Sequence, residues 1–134
     1  MSKLNAPRPS PPRTILPVME RLKAAYIFWH ECHSTLPKTQ RYSLGNRIDT
    51  LCVECIEAIA QATFLQRTEK EPWVRLAIRK LDTVKILLMI LWETKALDTK
   101  KYVALSEILD EAGRMLGGWM GQLAKLGPAV RGEK

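Results

Sequence analysis

Residues 72–95 read PWVRLAIRKLDTVKILLMILWETK. Turning 100° per residue places Val74, Ala77, Leu81, Val84, Leu88 and Leu91 on one side of a helix, the three-and-four spacing of a core stripe. Arg75, Arg79 and Asp82 fall on the opposite side. Further along that outer side, the next turns carry Ile86, Met89 and Ile90 in place of charges. The helix therefore begins amphipathic and ends apolar all round. A helix with no polar face is buried by something, and a chain of 134 residues has little left over to bury it. Ile86, Met89 and Ile90 are accordingly expected at a subunit interface.

The same period extends outward in both directions. Upstream, Thr68 to Pro72 forms a connection in which Thr68 and Glu71 have capping-box spacing. Before it, a helix starting between Thr39 and Ser43 and running to about Gln66 buries Leu44, Ile48, Leu51, Cys52, Cys55, Ile59 and Ala62. Pro37 breaks the chain ahead of that helix, because the residue before a proline is pushed out of the α region. The first helix spans Val18 to Ser34, just after Pro17, with Val18, Leu22, Ala25, Tyr26 and Trp29 on its inner face.

Downstream, Asp98 or Thr99 suits the N-cap of a fourth helix. Its core positions are Tyr102, Leu105, Leu109, Ala112, Leu116, Trp119 and Leu123, and Gly127-Pro128 is its expected end. Gly113, Gly117, Gly118 and Gly121 lie inside it, and each glycine costs roughly 1 kcal/mol relative to alanine in a helix interior. Gly113, Gly117 and Gly121 are spaced by four, so they form a ridge without side chains. Close approach of another helix or of a neighbouring subunit would explain it; the alternative is a kinked or frayed helix. Four helices joined by short connections predict an all-α, antiparallel up-down-up-down four-helix bundle over residues 18–127. Residues 1–17 hold five of the eight prolines together with Lys3, Arg8 and Arg13, and read as an extended or disordered basic arm. Residues 128–134 read as a flexible tail.

Charge is the compositional outlier. Lysine and arginine total 21 against 14 acids, a formal +7, which points to a polyanionic partner, RNA or DNA before a membrane surface. No apolar run follows Lys3 and Arg8 to make a secretory signal. The longest apolar stretch, Ile86 to Trp92, falls far short of the ~20 residues of a membrane span. Cys32, Cys52 and Cys55 form an odd set without a disulfide framework, which suits a reducing cytoplasm.

Catalytic chemistry finds little footing. Cys52-x-x-Cys55 with His30, Cys32 and His33 has zinc-ligand residue types, but the two helix-two cysteines sit on an apolar face that packing already explains. The H-x-E and P-C-x-x-C elements of zinc deaminases are absent, as are the Glu-x-x-His pairs of di-iron bundles. Glu54, Glu57, Glu107, Asp110 and Glu111 read as solvated acids. No enzyme, metal or cofactor is expected. The stronger case is phosphate binding by Arg41, Arg47, Arg75, Arg79, Lys80 and Lys85, since the planar arginine fork matches phosphate oxygens and a basic cluster releases counterions on binding. For Arg41 and Tyr42 an alternative stays open: anchoring the connection between the first two helices.

Two runs carry a family resemblance. LPKTQRYSLG at residues 36–45 is similar to the L-P-K-x-x-R-Y-x-L-G entry into the second helix of a four-helix-bundle family, and GRMLGGW at residues 113–119 to its G-R-x-L-G-x-W helix. The family is the accessory variability determinant (Avd) of diversity-generating retroelements, related to the proteins encoded in ribosomal RNA intervening sequences. The resemblance covers about residues 18–127. It implies a barrel-like homopentamer with a positive surface that binds the element's reverse transcriptase and its template RNA or cDNA in mutagenic retrohoming. The intervening-sequence relatives leave a second reading, a protein-interaction bundle without a nucleic-acid role.

Overall fold

Amphipathic helices on short tethers bury their stripes by lying side by side with alternating direction. The structure, a computed structural model, describes the backbone of residues 15–132 and the side chains of residues 17–125. Its elements are α1 (Ile15–Ser34), the single turn α2 (Lys38–Arg41), α3 (Leu44–Thr63), α4 (Arg67–Glu93) and α5 (Thr99–Gly132). No strand occurs among the described residues. The four long helices form a ring in the order α1, α3, α4, α5, and α5 closes back on α1. Cross-helix pairs fix their directions. Between α3 and α4, Lys70 reaches Ala62 while Lys80 reaches Glu54. Between α4 and α5, Lys85 pairs with Asp110 while Trp92 stacks on Tyr102. Between α1 and α5, Arg21 pairs with Glu111 while Thr35 meets Lys101. Each pairing runs one helix against the other, as an up-down-up-down bundle requires.

The core is built from the periodic stripes. Trp29, Ile48, Ile59, Leu88, Leu91, Leu105 and Leu116 are fully buried, and Val74, Ala77, Leu81 and Val84 continue the α4 stripe. Leu44, Cys52 and Tyr102, expected inside, are half-buried on its flanks.

Several boundaries differ from the expectation. Helix α1 begins at Ile15, so Pro17 lies inside its first turn, where its missing donor would be unpaired anyway. The second predicted helix is divided into α2 and α3, and α3 stops at Thr63, short of Gln66. Helix α4 begins at Arg67 and takes Pro72 into its body. The Thr68–Glu71 capping box is not made: Gln66 is the N-cap, without a side-chain bond, and Glu71 pairs with Arg75. Helix α5 continues through Gly127 and Pro128 to Gly132, past its expected end. A proline removes one donor near such positions but its φ is helical, so it marks a boundary less firmly than its propensity suggests. Residues 1–14, most of the predicted arm, lie outside the described residues.

The connections are held by specific groups. Asp98 Oδ1 accepts from the Lys101 amide at 2.8 Å and caps α5. Lys95, at φ 66°, closes α4 in the left-handed region, and the Ala96 amide returns to the Leu91 carbonyl at 2.9 Å. Lys70 Nζ donates to the carbonyls of Ala62 (2.6 Å) and Thr63 (3.2 Å), tying the end of α3 to the start of α4. Burial, with repulsion from Arg67, pulls the Lys70 ammonium below its ordinary pKa.

Candidate nucleic-acid and assembly surfaces

The α1–α3 corner is a clasp. Arg41 donates from Nε (3.3 Å) and Nη2 (3.0 Å) to the Leu36 carbonyl at the end of the first turn after α1, and its guanidinium lies 5.9 Å from the Tyr42 ring centroid. The Arg41 carbonyl in turn accepts from His33 Nε2 at 3.0 Å. The His33 ring stacks on Trp29, with centroids 5.0 Å apart and planes 14° from parallel. Gly45 fits beneath that imidazole. A Cβ there would stand 2.7 Å from His33 Cδ2 and Nε2 and 3.0 Å from the Gln40 carbonyl. Of the two roles the sequence leaves open for Arg41, these contacts supply the anchoring one.

The six candidate phosphate ligands do not converge on one patch. Arg75 and Arg79 are exposed on the outer face of α4, Arg75 paired with Glu71 one turn back. Lys80 turns toward α3 and lies 2.9 Å from Glu54. Lys85 turns toward α5 and lies 3.2 Å from Asp110. Arg47 is exposed on α3, and with Arg79 it makes no ion pair among the described residues. The hydrogen bond from Lys80 holds the Glu54 carboxyl below its ordinary pKa, and the Arg47 charge adds to that. Lys80 and Lys85 are therefore engaged in joining helices, and the cations left facing outward are Arg47, Arg75 and Arg79.

The outer side of α4 beyond these arginines is uncovered in the single chain. Ile86 is 55% and Met89 38% exposed, with Ile90 half-buried beside them. The glycine ridge on α5 divides. A Cβ on Gly113 would meet Lys85 Nζ at 3.0 Å and Leu81 at 3.6 Å, whereas one on Gly117 or Gly121 would meet nothing within 4 Å. Among the described residues nothing comes within 4 Å of a Cβ at the last two, so close packing by another helix of the described bundle does not account for the ridge there.

The cysteines are packing groups. Cys55 Sγ donates to the Ala77 carbonyl at 3.4 Å, and burial pushes the Cys52 and Cys55 thiols up to about 12. Thiols so hard to ionise are poor nucleophiles and ligands. Among the described residues no three His, Cys, Asp or Glu side chains form a metal-sized cluster, and no helix is long and apolar enough to cross a membrane.

One feature escaped sequence reading. Between α3 and α4 runs a groove of about 680 Å³ lined by Glu54, Glu57, Gln61, Phe64, Trp73 and Leu76, among others. Phe64 is 74% exposed at its rim. Residues from two helices make it, so neither helix's own periodicity reveals it.

The described residues form an all-α bundle in which Arg47, Arg75 and Arg79 face outward and an apolar stretch at Ile86 and Met89 is left uncovered by the chain itself. The model of the bAvd-like family matches residues 18–123, nearly the whole bundle, and the chain belongs to that family. No curated protein and no solved structure matches it.

Proposed function

We propose that this chain is the non-catalytic accessory protein of a diversity-generating retroelement, acting in the cytoplasm. It assembles as a barrel-like homopentamer and binds the element's reverse transcriptase together with template RNA and cDNA. Membership in the bAvd-like family carries this reading. The formal +7 supports a polyanionic partner, and five copies would hold about +35, a charge that favours anionic company. The uncovered Ile86–Met89–Ile90 stretch supports assembly. Arg75 and Arg79, side by side on the exposed face of α4, are the strongest phosphate ligands, and Arg47 is a further exposed cation, on α3.

Light scattering on a sizing column in high salt tests the assembly. Five 15.3 kDa chains give about 76 kDa, and a monomer would remove the interface assigned to Ile86, Met89 and Ile90. RNA titration at several salt concentrations tests the partner. Arg75→Glu with Arg79→Glu should weaken binding and flatten its salt dependence while leaving the helical spectrum unchanged; unaltered affinity would take both residues out of the site. The engagement of Arg41, Lys80 and Lys85 inside the chain favours one second reading, a protein-only interaction bundle. Capture of the reverse transcriptase without any salt-dependent RNA binding would select it.

A further inference from the structure

We propose that the α3–α4 groove is the docking site of the chain's own proline-rich N-terminal segment, residues 1–14. The groove combines the two features that recognise such a segment. Trp73, Phe64 and Leu76 supply an aromatic and apolar floor and rim, and Glu54 and Glu57 supply carboxylates along one wall. Proline-rich stretches prefer the polyproline II helix, which docks into aromatic-lined grooves at little entropic cost. The segment reads MSKLNAPRPSPPRT: four prolines between positions 7 and 12, three cations at Lys3, Arg8 and Arg13, and no acid. Within the groove the one cation, Lys80, is already paired with Glu54, while Glu57 is exposed and makes no ion pair among the described residues. The signs match: a basic ligand for an acidic wall. Those carboxylates also make this groove a poor seat for phosphate, so it is separate from the face carrying Arg75 and Arg79.

Topology puts the segment beside its site. Because neighbours alternate in direction, the start of α1 at Ile15 shares one end of the bundle with the end of α3 at Thr63 and the start of α4 at Arg67. Phe64 and Trp73 stand at that same end, at the mouth of the groove. Adjacent helices lie roughly 8–10 Å apart, whereas fourteen residues of polyproline II helix extend about 43 Å at 3.1 Å each. A segment of that length is long enough to reach from Ile15 across α3 to the groove.

Trypsin tests this on the full chain. The Arg8–Pro9 bond resists the enzyme, so the informative cut is Arg13–Thr14, at the base of the segment. Phe64→Ala and Glu57→Arg, both at exposed positions, should each speed that cut by about threefold or more, because cleavage follows the undocked population. Arg8→Glu should speed it as well, and Arg8→Glu combined with Glu57→Arg should restore slow cleavage. In parallel, the Trp73 indole resonance should move when Pro9 and Pro12 are both changed to alanine. Equal cutting rates in all variants with an unmoved Trp73 signal would overturn the proposal. So would protection that is lost on dilution, since the segment would then occupy the groove of another copy.

Discussion

At the α1–α3 corner the residues of Leu36 to Gly45 find their partners within the chain, whereas along α5 the glycines of Gly113 to Trp119 largely do not. Arg41 is bonded to the Leu36 carbonyl, His33 to the Arg41 carbonyl, and Gly45 leaves the space the imidazole fills. On α5, a Cβ at Gly117, Gly118 or Gly121 would meet nothing within 4 Å among the described residues, whereas one at Gly113 would meet Lys85 and Leu81 of α4. Both runs are similar to Avd motifs, yet their physical logic differs. The first is an instruction for folding one chain. The second spends helix propensity at positions where the single chain gains no packing in return, which is the pattern expected when the selecting contact comes from another molecule.

The largest effect is predicted at Gly45. Every described glycine has negative φ, so backbone freedom is not what this position needs; room is. Gly45→Val would drive its branched side chain into His33, whose ring is held by Trp29 on one side and by the Arg41 carbonyl on the other. We expect a loss of about 3 kcal/mol in chemical denaturation, the high end of overpacking in a well-filled site. A loss within experimental error would mean that the corner relaxes freely, and the contrast with α5 would lose its basis.

Arg41→Met comes next. It removes both donors to the Leu36 carbonyl, in a corner where Leu36 itself is 1% exposed. The expected loss is about 1–2 kcal/mol, the penalty for a partly buried acceptor left unpaired. Reduced stability with unchanged RNA affinity would place Arg41 wholly with folding. Reduced affinity at full stability would return it to the phosphate ligands and break the division drawn between the two runs.

What was legible in the sequence follows the same division between local and tertiary causes. A 3.6-residue period reports burial directly, so Val74, Ala77, Leu81, Val84, Leu88 and Leu91 read as inward from the sequence, and all are buried. Exposure of Ile86 and Met89 was legible for the same reason. The start of α4 was not, because Thr68, Glu71 and Pro72 carry a strong local start signal, yet the helix begins a residue earlier, at Arg67, and its Lys70 is bonded to the end of α3, a tertiary contact no local spacing announces. Nor was the fate of the cations. Lys80 and Lys85 find Glu54 and Asp110 across helix boundaries, and no spacing along α4 announces a partner on α3 or α5. The α3–α4 groove was hidden on the same grounds.

The glycine ridge offers a change of opposite sign. Gly117→Ala and Gly121→Ala add a methyl group to open space, and each should stabilise the isolated chain by about 0.5–1 kcal/mol through helix propensity alone. In the assembly reading the same double variant should shift the native mass toward smaller species. Greater stability with an unchanged mass would show that no second copy approaches the ridge, and its glycines would then lack an assembly role.

Gly113→Ala carries the smallest expected effect, and it separates the two kinds of glycine within one helix. Propensity favours the alanine by about 1 kcal/mol, as at the other sites. Its Cβ, however, would come within 3.0 Å of Lys85 Nζ, the flexible end of a half-buried side chain that reaches Asp110 at 3.2 Å. Moving that ammonium weakens a pair whose Asp110 side is 55% exposed, and partly exposed pairs contribute about 1 kcal/mol at most. The two terms nearly cancel, so denaturation should report a change within about 0.5 kcal/mol of zero. The discriminating control is Lys85→Met, in which the pair is already gone. If Gly113→Ala stabilises that background more than it stabilises the parent chain, the lysine contact is what offsets the propensity gain at Gly113. Equal effects in the two backgrounds would place Gly113 with Gly117 and Gly121, as a glycine for which the single chain supplies no reason.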